Sequence, residues 1–228
     1  MFGRPTEYRT IRHINEYYGS LASLRNIRDK RAKVSIAVID DNSFKPLMNL
    51  QSVGYSIQEV GDIKRIDQVK DFPLVLCDLM GVGSSLGGDA QGAEIIKEIK
   101  LNYPNTLVVA YTGAGFQSRE VKHAKEAADE ILRKDADIAE WREILDPLVQ
   151  SALNPVEIWH RFRLQLVKQG ADTFFILKLE DAYVRSLEKK DTAFRKMLDV
   201  VDQDSANAKW RSMIVYFVAS SIFKAIMS

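Results

Sequence analysis

The sequence predicts a doubly wound α/β domain with a five-stranded parallel sheet, an N-terminal helical extension and an all-α C-terminal region. Short apolar runs rich in β-branched residues occur at 34–39 (VSIAVI), 74–77 (LVLC) and 106–111 (TLVVAY), as in strands that are covered on both faces. Segments with helical spacing lie between them, such as "GAEIIKEIKLNYP", which ends at the breaker Pro104. Strands that alternate with helices are typical of this fold class.

Two weaker runs complete the predicted sheet, "YSIQEV" at 55–60 and "EILRK" at 130–134. The change in composition on either side of these five runs predicts three parts. They are a helical extension at 1–33, the α/β domain at 34–151 and a helical region for output or dimerisation at 152–228.

The flanking parts are predicted to be helical from the spacing of their apolar residues. Residues 5–28 predict one or two helices. Three further helices are expected at about 155–169, 172–201 and 205–227, separated by Gly170 and by the polar segment "DQDSAN".

Charge is distributed unevenly along the 228 residues, although the net charge is only +1. Residues 34–151 carry 12 Lys and Arg against 19 Asp and Glu, whereas both flanks are mildly basic. An acidic middle favours a cation site. The excess of positive charge in the flanks is too small for a nucleic-acid surface, which needs a denser basic patch.

The single cysteine, Cys77, excludes an intramolecular disulfide, and the start "MFGRPTEYRT" lacks the apolar stretch of a signal peptide. A cytoplasmic location is therefore expected.

The last segment is the most hydrophobic, but Lys224 interrupts it and the apolar run is too short to span a bilayer. A bundle helix or a dimer interface is the preferred interpretation of this segment, and a membrane contact is not expected.

Polar residues follow four of the five predicted strands: Asp40 and Asp41 after the first, Asp78 after the third, Thr112 at the end of the fourth and Lys134 at the end of the fifth. The carboxyl ends of parallel strands meet at one edge of a sheet, where ligands bind. Three carboxylates there would repel each other unless a cation compensated them, and hard oxygen ligands suit a magnesium-like ion.

A different interpretation is open for the first acid. Asp40 could cap a helix that begins near Ser43, since aspartate accepts hydrogen bonds from the free amides of a first turn. Capping leaves the positions of Asp78, Thr112 and Lys134 unexplained.

Four motifs occur in order: "VIDDNSF", "LVLCDLM", "VVAYTGA" and "EILRKDAD". Over roughly residues 33–151 this pattern resembles the receiver domain of bacterial response regulators, which implies a flavodoxin-like fold of the receiver type. The resemblance implies that Asp78 accepts a phosphoryl group from a histidine kinase or phosphotransfer protein. The chain would then be a phospho-acceptor rather than a turnover enzyme.

The same resemblance implies the ligands of the site. Asp40 and Asp41 would hold Mg²⁺ directly or through water, together with Asp78 and the backbone carbonyl of Met80. Thr112 and Lys134 would bind the phosphoryl oxygens.

The sequence also departs from the family pattern. The loop "DLMGVGSSLGGDAQG" is long and rich in glycine, and it could be a flap, a partner surface or a tolerated insertion. Asp135 stands where the family generally has proline. The aromatic residue of the fifth strand would fall at Ile131, for which Tyr111 is a candidate substitute.

Two functions are therefore carried forward. The first is a response regulator whose helical C-terminal region dimerises or binds a protein partner when Asp78 is modified. The alternative is a receiver-like adaptor or scaffold that works without phosphorylation.

Met80 and Ala114 occupy the positions that border the attacking water in receiver-like sites, and neither side chain can orient it, which predicts a long-lived phosphoryl group.

Overall fold

The computed structural model describes residues 7–14, 26–86, 91–113, 115, 118–189, 191, 195–203 and 205–219. The chain divides into two compact units, Arg25–Leu153 and Met1–Leu24 with Asn154–Ser228. The three parts predicted from the sequence, 1–33, 34–151 and 152–228, stay a prediction, because these contacts do not show which parts of the chain fold independently.

The first unit contains the predicted five-stranded sheet, and every strand bound lies within one residue of its expected place. The strands are β1 (Ser35–Ile39), β2 (Ser56–Glu59), β3 (Leu74–Asp78), β4 (Leu107–Thr112) and β5 (Glu130–Arg133). All neighbouring pairs are parallel and the order is β2-β1-β3-β4-β5. This is the flavodoxin-like strand order, so the predicted fold class is confirmed.

The order of the strands reverses at β1 and β3, where Ile39 lies beside Cys77. The chain therefore leaves the sheet at Asp40 and at Asp78 on adjacent strands. A reversal of this kind opens a crevice at the carboxyl edge of the sheet.

Helices cover both faces of the sheet. They are α1 (Ile27–Lys33), α2 (Leu47–Ser52), α3 (Gly92–Asn102), α4 (Arg119–Ala124) and α5 (Ile138–Ala152), with 3-10 turns at Ile66–Val69 and Ser84–Leu86. α5 begins at a capping box: the Asp137 carboxylate accepts the amide of Glu140 at 2.9 Å, and the Glu140 carboxylate accepts the amide of Asp137 at 2.8 Å.

Strand residues alternate between two cores, as side chains do along a pleated strand. One core contains Val38, Leu76 and Tyr111 together with Trp141 of α5. The other core contains the intervening residues of the same strands together with α3 and α4. Its strand members are Ala37, Ile39, Val75, Cys77, Val108 and Ala110.

A buried ion pair joins α1 to α5. The Arg31 guanidinium donates to both carboxylate oxygens of Asp146 at 2.7 and 2.6 Å and to the Val53 carbonyl at 2.8 Å. The Tyr55 hydroxyl donates to the same carboxylate at 2.5 Å. Burial alone would raise the pKa of Asp146, but the hydrogen bonds from Arg31 and Tyr55 outweigh it and lower that pKa.

The second unit is helical where it is described: α6 (Pro155–Lys168), α7 (Thr173–Glu188), a 3-10 turn at Ser205–Trp210 and, on either side of that turn, α8 (Arg195–Asp202) and α9 (Arg211–Ala219). It has a core of its own, in which Trp159, Phe162, Tyr183 and Phe217 are buried.

The predicted single helix over 172–201 is wrong, because the chain is helical in two pieces, α7 and α8. After Glu188 the Asp191 amide donates to the Ser186 carbonyl at 2.8 Å, five residues back, and this bond ends the regular helical pattern. The predicted helix over 205–227 begins instead as a 3-10 turn, and its residues from 220 onward lie outside the described part.

The helices predicted over 5–28 fall mostly outside the described residues, and α1 begins only at Ile27, where the Asn26 side chain caps it. Within the helical unit, the amides of Arg9 and Ile11 donate to the carboxylates of Asp181 and Glu180, each at 2.7 Å. Of the helices in the described part, none is both long and apolar enough to cross a membrane.

Candidate functional site

Three carboxylates meet at the carboxyl edge of the sheet. Asp40, Asp41 and Asp78 each present an oxygen atom, and these atoms all lie within 4.8 Å of one another. Asp40 and Asp78 are buried, whereas Asp41 is exposed. The structure therefore brings together the three acids that the sequence placed at the ends of β1 and β3.

Lys134 pairs with both buried acids. Its ammonium nitrogen lies 2.5 Å from Asp78 Oδ2 and 3.0 Å from Asp40 Oδ2. The Lys134 amide also donates to the Thr112 carbonyl at 2.8 Å, which holds the end of β5 beside β4. Partial burial alone would lower the pKa of Lys134, but the two carboxylates outweigh it and raise that pKa, so the side chain is a cation.

Asp40 has hydrogen-bond donors on both of its oxygens. Oδ1 accepts the amide of Asn42 at 2.9 Å, and Oδ2 accepts the hydroxyl of Tyr111 at 2.8 Å. The interpretation of Asp40 as a helix cap is wrong, because the next helix begins only at Leu47 and Asp40 closes a local turn instead.

Tyr111 reaches the acids from the apolar core beneath them. Its ring packs against Phe44 and Trp141, with centroid separations of 5.4 and 5.8 Å. Burial, followed by the hydrogen bond to Asp40, raises the pKa of Tyr111 far above its usual value. The hydroxyl therefore keeps its proton and acts as a donor.

Asp78 and Asp41 are less enclosed by donors. Asp78 Oδ1 accepts the Met80 amide at 3.3 Å, and Asp41 Oδ1 accepts the Asn42 side-chain amide at 2.7 Å. Met80 is 45% exposed beside the acceptor strand. A role for its carbonyl as a metal ligand stays a prediction.

The described part of the glycine-rich loop lies against the site. Gly81 has a φ of +79°, and a Cβ there would lie 2.5 Å from Asp41 Oδ2. Asp62 fixes the next residues, since its carboxylate accepts the Gly83 amide at 2.6 Å and the Ser84 hydroxyl at 3.1 Å. At the far end of the loop Gly92 packs directly on the backbone of Asp78. Residues 87–90 of this loop lie outside the described part.

The remaining positions singled out in the sequence lie on β4 and β5 or just after them. Thr112 is buried at the end of β4, and Asp135 is exposed after Lys134. Ile131 packs in the core on the α3 and α4 face, opposite the core that holds Tyr111. Tyr111 therefore does not occupy the place of a fifth-strand aromatic. The position of Tyr111 directly before Thr112 is the only feature of the sequence analysis that pointed to its bond with Asp40.

The donor set fits a hard divalent cation. Three carboxylates converge, and in the described part of the chain Lys134 supplies the ammonium that pairs with the two buried ones. This leaves the cluster with an excess of negative charge and with oxygen donors, which are the ligands that Mg²⁺ prefers. Asp40, Asp41 and Asp78 are the residues that could hold such an ion.

Comparisons with known proteins complete this description. No family model matches the chain, and no curated protein matches it significantly. Matching solved structures cover about half of it. Response regulators and their receiver domains are among these matches. The other half of the chain is unassigned.

Three of these structures illustrate the similarity. The BeF3-activated receiver domain of DrrB is 25% identical over 51% of this chain and 97% of its own, with a TM-score of 0.41. The receiver domain of a sensor histidine kinase from Pseudomonas aeruginosa PAO1, described with a magnesium ion in its active site cleft, is 21% identical over 51% and 97%, with a TM-score of 0.42. A response regulator from Thermotoga maritima is 15% identical over 51% and 97%, with a TM-score of 0.43.

Proposed function

We propose that this chain is a phospho-acceptor of the response regulator type, in which Asp78 receives a phosphoryl group from a histidine kinase or a phosphotransfer protein in a Mg²⁺-dependent reaction. The observation that carries the proposal is the position of the Asp78 carboxylate. It lies 2.5 Å from the Lys134 ammonium, and one of its oxygens lies within 4.8 Å of an oxygen of Asp40 and of Asp41.

Asp78 provides the nucleophile. One of its carboxylate oxygens attacks the phosphorus of a phosphohistidine, so that an O–P bond forms and the P–N bond breaks. The electron pair of the broken bond stays on the histidine nitrogen, which takes up a proton. Oδ2 is held by Lys134, whereas Oδ1 accepts a long bond from the Met80 amide at 3.3 Å, so we assign the attack to Oδ1.

Lys134 and Thr112 are assigned to the transferred group. The ammonium of Lys134 can move from a carboxylate oxygen to a phosphoryl oxygen over a short distance and offset its charge. Thr112, at the end of the adjacent strand, supplies a hydroxyl. A Mg²⁺ ion held by Asp41 and Asp78, with Asp40 acting through water, would neutralise negative charge on the phosphoryl oxygens.

Intact mass tests this proposal. The protein is incubated with acetyl phosphate and Mg²⁺, and we expect the mass of one phosphoryl group to be added. Asp78→Asn keeps the shape of the side chain but removes the nucleophile, so it should show no addition. Asp135→Asn is the matched control, since this exposed acid follows Lys134 and should leave the addition intact. An unchanged mass for the natural protein would favour the adaptor function instead.

We further propose that the helical unit associates with a second copy of itself. This assignment is supported by two large apolar side chains one turn apart on α6, Leu164 and Val167, which are 53% and 50% exposed. Light scattering of the full chain should give the mass of a dimer. Leu164→Glu combined with Val167→Glu should give a monomer, and Lys97→Glu at an exposed position of α3 in the sheet unit should not. A monomeric natural protein would exclude this interface.

A further inference from the structure

We propose that Tyr111 is a positioning residue of the phospho-acceptor site, whose hydroxyl holds the Asp40 carboxylate in the orientation that lets Asp40 and Asp78 share Lys134. This inference rests on the function proposed for Asp78 and adds to it a residue of the fourth strand. It concerns the oxygen atom of Tyr111 rather than its ring.

The contacts of Asp40 show how the orientation is fixed. Oδ1 accepts the Asn42 amide at 2.9 Å and lies 3.4 Å from the Lys134 nitrogen. Oδ2 accepts the Tyr111 hydroxyl at 2.8 Å and lies 3.0 Å from the same nitrogen. Each oxygen therefore has a neutral donor on one side and the Lys134 ammonium on the other, so the plane of the group is defined from both sides.

Burial makes the hydroxyl hard to replace. The side chain of Asp40 is only 1% exposed, and Tyr111 is fully buried. A water molecule therefore cannot simply take the place of the Tyr111 hydroxyl. Without that donor, Asp40 Oδ2 would form a stronger hydrogen bond with another donor. The nearest one is Lys134, which would move toward Asp40 and away from Asp78.

The arrangement also assigns different parts to the two neighbouring acids. Asp40 has its oxygens occupied by protein donors, whereas exposed Asp41 has room for a direct ligand bond. Asp40 would then act on a cation through water and through its charge. Groups that orient such carboxylates commonly change metal affinity or activity by about 10-fold or more when they are lost.

The ring and the hydroxyl of Tyr111 can be separated experimentally. The ring packs with Phe44 and Trp141 in the core, and phenylalanine would keep that packing. Tyr111→Phe therefore removes the bond to Asp40 and little else. Tyr55→Phe is the matched control, because the Tyr55 hydroxyl also donates to a partly buried carboxylate, that of Asp146, away from the three acids.

The experiment measures Mg²⁺ affinity by calorimetry and the rate of phosphoryl uptake from acetyl phosphate by intact mass, on the full chain. We expect Tyr111→Phe to lower both by about 10-fold and Tyr55→Phe to change neither. Equal values for Tyr111→Phe and the natural protein would overturn the inference while leaving the proposed function standing. A natural protein that takes up no phosphoryl group would overturn both.

A double-mutant cycle separates positioning from packing. If Tyr111 acts through Asp40, then Tyr111→Phe should have no further effect on Mg²⁺ affinity in a protein that already carries Asp40→Asn. A merely structural loss would lower affinity by the same factor in both backgrounds. Additive effects in the cycle would therefore contradict the positioning role.

Discussion

Gly81 lies directly against the carboxylate of Asp41, and a Cβ on this glycine would lie 2.5 Å from Asp41 Oδ2. No side chain can be placed there unless the carboxylate moves. The glycine-rich loop is thus fitted to the site at the one acid that is open to solvent.

Gly81→Ala should accordingly weaken Mg²⁺ binding, because the methyl group displaces the Asp41 carboxylate. The substitution also costs about 1 kcal/mol of stability through the positive φ. Gly61→Ala separates the two effects, since Gly61 has a similar φ of +71° and no atom within 4 Å of its Cβ position. Calorimetry should show weaker binding for Gly81→Ala alone, and equal binding by both variants would contradict the fit of loop to site.

The two neighbouring acids should differ in their effect on Mg²⁺. Asp41→Asn removes the charge of the proposed direct ligand, whereas Asp40→Asn alters a carboxylate whose oxygens already accept protein donors. We expect the larger loss of affinity for Asp41→Asn in a calorimetric titration. Asp135→Asn should bind as the natural protein does. A larger loss for Asp40→Asn would reverse the assignment of direct and water-mediated ligands.

Arg31→Ala should destabilise the sheet unit strongly at neutral pH. The substitution leaves the partly buried Asp146 carboxylate without its cation, which typically costs about 3 kcal/mol. Urea unfolding should show this loss, while Arg28→Ala at an exposed position of the same helix should change the unfolding free energy much less.

The stabilisation by Arg31 should also depend on pH. The pKa of Asp146 is lowered in the folded protein below the ordinary aspartate value of about 3.9, so the stabilisation is fully present above that ordinary value and is lost as the pH falls through the folded pKa. The difference between the natural protein and Arg31→Ala should therefore shrink in acid, below about pH 4. A difference that stays constant down to pH 2 would contradict this linkage.

Loss of the phosphoryl group from Asp78 should be slow. Met80 is exposed beside the acceptor, and its side chain cannot orient a water molecule for attack. Ala114, the second residue in this argument, lies outside the described part of the chain. Met80→Asn should shorten the lifetime measured by intact mass over time, and Met48→Asn, at an exposed position before β2, should not. Loss within seconds in the natural protein would contradict the prediction.

The sheet and its acids could be predicted from the sequence because both depend on local patterns. A buried parallel strand is a short apolar run, and the rule that strand ends converge then brings Asp40, Asp78 and Lys134 to one edge. The bond between Tyr111 and Asp40 joins residues 71 apart in sequence. It depends on side-chain direction and on how deeply the ring is buried, and neither can be inferred from a strand pattern.

Two errors have a related cause. The predicted helix over 172–201 follows a favourable spacing of apolar residues, but a contact five residues back ends α7 before the pattern does. Asp40 has the composition of a helix cap, yet the chain turns locally and α2 begins later. In both places a local hydrogen bond, to the Ser186 carbonyl or to the Asp40 side chain, replaces the bond that the helical pattern predicts.

Tyr111 and Thr112 are consecutive residues of one strand, so they belong to opposite faces of the sheet. Tyr111 contacts Trp141 of α5, whereas Thr112 follows the alternation of Ala110 toward the core of α3 and α4. A displacement at this strand end would therefore act on different side chains at the two faces of the sheet. Two binding proteins, one on each face, would then respond to the same displacement independently. A substitution in one core would reduce the response at that face and leave the response at the other face unchanged.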